Sequence, residues 1–221
     1  MKANYFTIGE SSFQEFEIKK SRFLTYIYPI EREDQVNELL KQLKKDHHKA
    51  NHHCWAYILG HHYEIQRMSD DGEPSGTAGV PMLEVLKKQD LTNILVVVVR
   101  YFGGIKLGGG GLIRAYAGCV SDTLKQMTIM QNISQQIVHL GISYGQVDSF
   151  QYFLQHTEDH ITILSQDYGA QVTYKLAILV EEADQVKTTI TNRFKGQIEW
   201  TEQGIETVNV PVTPVKQDQN S

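Results

Sequence analysis

The sequence predicts an α+β protein of two domains, on three observations. An unbroken aliphatic run, Ile94 to Val99, leads into a glycine-rich stretch and then into helical spacing of apolar residues. After Gln131, short alternating runs and helical patterns follow in the order β-α-β-β-α-β, the split ferredoxin-like pattern. Charge divides at the same place: residues 1–130 carry 16 Lys and Arg against 15 Asp and Glu, whereas residues 131–221 carry 5 against 11. The expected division is 1–131 and 132–213, with a frayed polar tail over 214–221.

The first elements are strands with polar interruptions, Phe13 to Ile18 and Arg22 to Tyr28, ended by Pro29. A helix follows with Val36, Leu39, Leu40 and Leu43 on one face. Its acids Glu31, Glu33 and Asp34 come first and its cations Lys41, Lys44 and Lys45 last, which suits the helix dipole. Cys54 to Leu59 and His62 to Arg67 read as two strands joined at Gly60-His61. Ser69 to Pro81 is a long loop opening onto a helix, with Pro81 in its first turn.

Ile94 to Val99 suits a strand covered on both faces, since a half-exposed strand would alternate with polar residues. Six of the next twelve residues are glycine: Gly103, Gly104 and Gly108 to Gly111. Leu112, Ile113, Tyr116, Val120 and Leu124 then place a helix just after the glycines. Strand, glycine loop and helix start aim backbone N–H groups and the positive helix end at one spot, which favours an anion. Arg100, Lys106 and Arg114 lie beside it, and no Asp or Glu falls between Asp90 and Asp122. These cations with Gly108, Gly109, Gly110 and Gly111 form a candidate anion or RNA site. The alternative reading is that the glycines only permit tight helix-on-sheet packing.

Known nucleotide motifs do not fit. Gly103 and Gly108 have the Walker spacing, but Gly109-Gly110 stands where Lys-Ser/Thr belongs. From Gly108, the third Rossmann glycine would fall at Ile113. If the strands before the two loops run in the same direction, the acidic loop of Asp70, Asp71 and Glu73 meets the glycine loop at one sheet edge. Those acids are then expected to pair with Lys106 and Arg114, the alternative being Mg²⁺ with a phosphate.

Six of the nine histidines lie within His47 to His62, but their spacing offers no closed ligand set, so neither metal nor cofactor is expected. Cys54 falls on a strand and Cys119 on an apolar helix, positions of core residues rather than nucleophiles. Two cysteines make no disulfide framework, and neither a signal sequence nor a membrane span is visible, so a cytoplasmic protein is expected. The acidic C-terminal part is a poor generic binder of nucleic acid, which places any such contact on the N-terminal part.

Three ordered segments carry a resemblance: His52 to Tyr57, Ser69 to Gly79 with Pro81, and Val99 to Gly108 continuing through Leu112 to Tyr116. With them the whole chain resembles the YigZ/IMPACT family in its bacterial two-domain form. The resemblance implies an N-terminal two-layer α/β domain similar to the second domain of ribosomal protein S5. It also implies a ferredoxin-like C-terminal domain similar to the last domain of translation elongation factor G. It implies a translation-linked protein touching RNA or the ribosome, and no established reaction. Two other functions stand beside that one: an enzyme acting on a small phosphorylated or nucleotide substrate, and an adaptor docking a protein on its acidic C-terminal domain.

Overall fold

The computed structural model describes residues 4–212, so the expected tail over 214–221 lies outside the described residues. The described residues divide into two compact units, 5–131 with 210–212 and 132–209 with Asn4.

The first unit holds strands β1 (Tyr5–Ile8), β2 (Ser12–Ile18), β3 (Ser21–Pro29), β4 (His52–Leu59), β5 (Ile65–Ser69) and β6 (Ile94–Tyr101). Its helices are α1 (Glu33–Asp46), α2 (Gly79–Lys88) and α3 (Gly109–Leu124). The main sheet has the order β2-β3-β6-β4-β5, with every neighbouring pair antiparallel. Central β6 is buried from Ile94 through Arg100, as its aliphatic run predicts. Ile94, Val96 and Val98 join a core with Met82 and Leu86 of α2 and Leu112, Tyr116 and Val120 of α3. Leu95, Val97 and Val99 face the other side, in a core with Val36 and Leu43 of α1.

Helix α1 begins with Glu33 and Asp34 and carries Lys44 and Lys45 in its last turn, as its charge order predicts. The hairpin of β4 and β5 is wider than expected, because β5 starts at Ile65 and not at His62. Tyr63 takes a positive φ of 60° within that turn, which an extended strand does not allow.

The second unit contains most of β7 (Ile129–Ile142), α4 (Val147–His156), β8 (Ile161–Tyr168), β9 (Val172–Leu179), α5 (Ala183–Arg193) and most of β10 (Glu199–Pro211). β9 lies between β7 and β8, and β10 pairs with β7, giving the order β10-β7-β9-β8 of a ferredoxin-like sheet. One core joins Val138, Leu140 and Ile142 to Phe150, Tyr174, Val186 and Ile190. The boundary between residues 131 and 132 falls within β7. β10 continues well past Glu202, where its residues are mostly exposed and carry little apolar signal. No helix among the described residues is long and apolar enough to cross a membrane.

Leu95 is wholly buried at the centre of the α1-side core. Leu95→Ala should therefore cost about 2–5 kcal/mol of stability. A urea titration in a Trp200→Phe background, with Trp55 reporting the first unit, would measure it.

Candidate functional site

β5 and β6 are both antiparallel to β4, so they run in the same direction. The acidic loop after β5 and the glycine loop after β6 consequently leave the same sheet edge. Their side chains pair differently from the expectation. Asp70 accepts backbone N–H bonds from Gly76 (2.8 Å), Ala78 (3.0 Å) and Gly79 (2.8 Å), holding the start of α2. Burial pushes its carboxyl pKa up, but those three donors outweigh burial and hold it below the usual range. Asp71 accepts the His53 N–H at 2.7 Å and lies 3.4 Å from Lys44 Nζ.

Glu73 is buried, and its Oε1 accepts from Arg100 Nη1 at 2.6 Å and from the Tyr116 hydroxyl at 2.8 Å. None of the three acids pairs with Lys106 or Arg114. The reason is strand geometry: Val96, Val98 and Arg100 share one face of β6, which carries Arg100 beneath the acidic loop. Arg100, only 5% exposed, also reaches Ser21 Oγ at 3.3 Å through Nη2.

Four of the six clustered histidines have separate surroundings. His47 bridges the Tyr26 and Tyr101 hydroxyls at 2.8 and 3.0 Å. His61 stacks on Tyr5. His53 is buried, and burial lowers its pKa despite the nearby Asp71 carboxylate. His52 Nδ1 lies 2.9 Å from the Asp71 carbonyl. A carbonyl only accepts, so Nδ1 carries the proton and Nε2 remains for other contacts, 3.9 Å from Glu73 Oε2. Among the described residues no three His, Cys, Asp or Glu side chains group to hold a metal ion.

Helix α3 starts at Gly109 rather than after the glycines, so Gly109, Gly110 and Gly111 form its first turn. Arg114 stands in the second turn. Gly108 is the N-cap with φ of 74°, a left-handed value that favours glycine, and no side chain caps the helix. Positive φ is not needed at Gly110. A Cβ on Gly103 would strike the Lys20 and Ser21 backbone, and one on Gly111 would crowd Leu107 at 3.1 Å. By contrast a Cβ on Gly109 would meet only Thr77 at 4.0 Å, and one on Gly110 only Arg114 Nη1 at 3.7 Å. Packing therefore accounts for Gly103 and Gly111 but not for Gly109 and Gly110.

A pocket of about 400 Å³ opens here, lined by Lys106, Gly108 and Gly109 with Arg100, Glu73 and His52, and walled by Phe102, Leu107 and Leu112. Gly111 and Arg114 line a neighbouring hollow of about 270 Å³ with Lys19 and Leu107. The three cations thus do not share one cavity. Arg100 is committed to Glu73, Lys106 lies in the pocket, and Arg114 stands next door. His52, Phe102 and Tyr116 were absent from the expected site. Their one signal was their place in the ordered segments around the glycines.

The Impact N-terminal domain model matches residues 19–124, and the domain of unknown function DUF1949 matches residues 140–197. IMPACT family member YvyE of Bacillus subtilis (strain 168) is 36% identical over 214 residues, covering 97% of this chain and 98% of that protein. The chain belongs to the IMPACT family. IMPACT family member YigZ of Escherichia coli (strain K12) is 34% identical over 185 residues, 83% of this chain and 90% of that protein. Among solved structures, a crystal structure of a hypothetical protein aligns with TM-score 0.57 and 30% identity, over 90% of this chain and 98% of that one.

Neither cysteine of this IMPACT family chain is poised as a nucleophile. Burial pushes the Cys54 and Cys119 thiols up to about 12, and Cys54 Sγ lies 2.9 Å from the Asp70 carbonyl. Neither thiol should react with iodoacetamide at pH 8 in the folded protein, and both should react in 6 M guanidinium. Mass spectrometry before and after unfolding reads the difference.

Proposed function

We propose that this chain is a translation-linked regulatory protein of the cytoplasm that grips RNA phosphates at the start of α3. The observation that carries the reading is the pair Gly109 and Gly110. Their N–H groups stand in a helix first turn, where no intrahelical acceptor exists and no side chain caps. Glycine at these positions serves neither backbone conformation nor packing. Leaving out both Cβ atoms lets a large oxyanion come close to the N–H groups. Lys106 lines one pocket with Gly109, and Arg114 lines the neighbouring hollow, extending the positive charge along the helix. Glu73 does not repel an anion strongly, because Arg100 already balances its charge.

Family membership supports the translation link. The charge division supports the first unit as the RNA-binding part, since the chain from residue 131 onward is strongly acidic. That acidity suits the second unit to a protein partner.

A Lys106→Ala, Arg114→Ala double variant tests the reading in filter binding of single-stranded RNA across a salt series. Each lost cation should reduce the slope of log affinity against log salt by roughly 0.7, with weaker binding at every salt concentration. Unchanged affinity and slope would reject the phosphate grip and favour the adaptor function.

A further inference from the structure

We infer that the pocket beside the α3 start holds one whole nucleotide, with its phosphate on the helix and its base against Phe102. The inference rests on the phosphate reading above and adds the chemical class of what is bound. At about 400 Å³ the pocket falls in the range of small-ligand pockets, roughly 300–1,000 Å³, and exceeds the needs of a phosphate alone. Its character changes from one side to the other. Lys106, Gly108 and Gly109 supply the anion side, while Phe102, Leu107 and Leu112 supply an apolar wall.

Phe102 is the unusual residue of that wall. It remains 44% exposed although it directly follows the most deeply buried strand. Its backbone is nonetheless fixed, because its N–H donates to Asn51 Oδ1 at 2.8 Å. The Arg100 guanidinium lies 5.6 Å from its ring centre. A solvent-facing aromatic ring on an anchored backbone beside a phosphate site suits base stacking, which works for every base.

Polar groups for the base edge or the sugar are also present. His52 presents Nε2 once Nδ1 is spent on the Asp71 carbonyl, and the Asn51 side chain lines the same pocket. Arg100, nine-tenths buried and lining the pocket, has a buried Nε with no hydrogen-bond partner among the described residues. That Nε is covered, so a ligand in the pocket meets the guanidinium through its charge and not through this donor.

An NMR titration of the full chain with inorganic phosphate, ribose 5-phosphate and AMP separates the parts. All three should shift the Gly109 and Gly110 amide resonances. AMP should bind about tenfold tighter than ribose 5-phosphate and also move the Phe102 ring and Leu112 methyl signals. Phe102→Leu, which keeps an apolar side chain but removes the aromatic face, should erase that advantage and leave ribose 5-phosphate binding unchanged.

AMP binding no tighter than ribose 5-phosphate, or keeping its advantage in Phe102→Leu, would overturn this inference alone. A phosphoserine peptide binding more tightly than AMP through the same amides would overturn it in favour of a protein ligand. If none of the probes moves those amides, the phosphate grip fails as well.

Discussion

The first unit depends on one buried ion pair, Glu73 with Arg100. Their side chains are 3% and 6% exposed and meet at 2.6 Å. Arg100 belongs to the central strand, Glu73 to the acidic loop, and Tyr116, which also donates to Glu73, to α3. The pair therefore ties three elements together just beneath the glycine loop. Removing one partner of such a buried pair typically costs about 3–5 kcal/mol, because the other charge stays buried without compensation. The same bond has a second effect. It balances Glu73, the one acid among the described residues that line the pocket, and leaves the field of Lys106 and the helix start unopposed there.

Much of this was readable in the chain. The six aliphatics from Ile94 to Val99 announce a strand buried on both faces, and the alternation in Val172 to Val180 announces β9. What stayed hidden had physical causes. Glycine is among the poorest helix formers, so a sequence reading starts α3 after the glycines, whereas tertiary packing of Leu112 and Tyr116 carries the helix back to Gly109. The partner of Arg100 lies 27 residues away, and only the direction of β5 and β6 brings the two together. The exposure of Phe102 is visible only in three dimensions.

The glycines themselves divide by task. Gly103 and Gly111 make room for neighbouring atoms, Gly108 supplies a left-handed turn, and Gly109 and Gly110 meet neither need. Glycine inside a helix is less stable than alanine by up to about 1 kcal/mol. On the proposed phosphate grip, two glycines where alanine fits give up stability for an approach to the backbone, the usual relation between a binding site and the fold that carries it. The acidic second unit has a core of its own.

The most direct test is the double variant Gly109→Ala, Gly110→Ala, measured for both stability and RNA affinity. Two methyl groups enter positions with room for them and leave the charge unchanged. Urea unfolding should show a gain of up to about 1 kcal/mol per substitution. RNA affinity should fall at least about tenfold, as expected when close backbone contacts to phosphate are blocked. A variant that gains stability and binds RNA as tightly as the parent would contradict the account, because the open glycines would then serve no ligand.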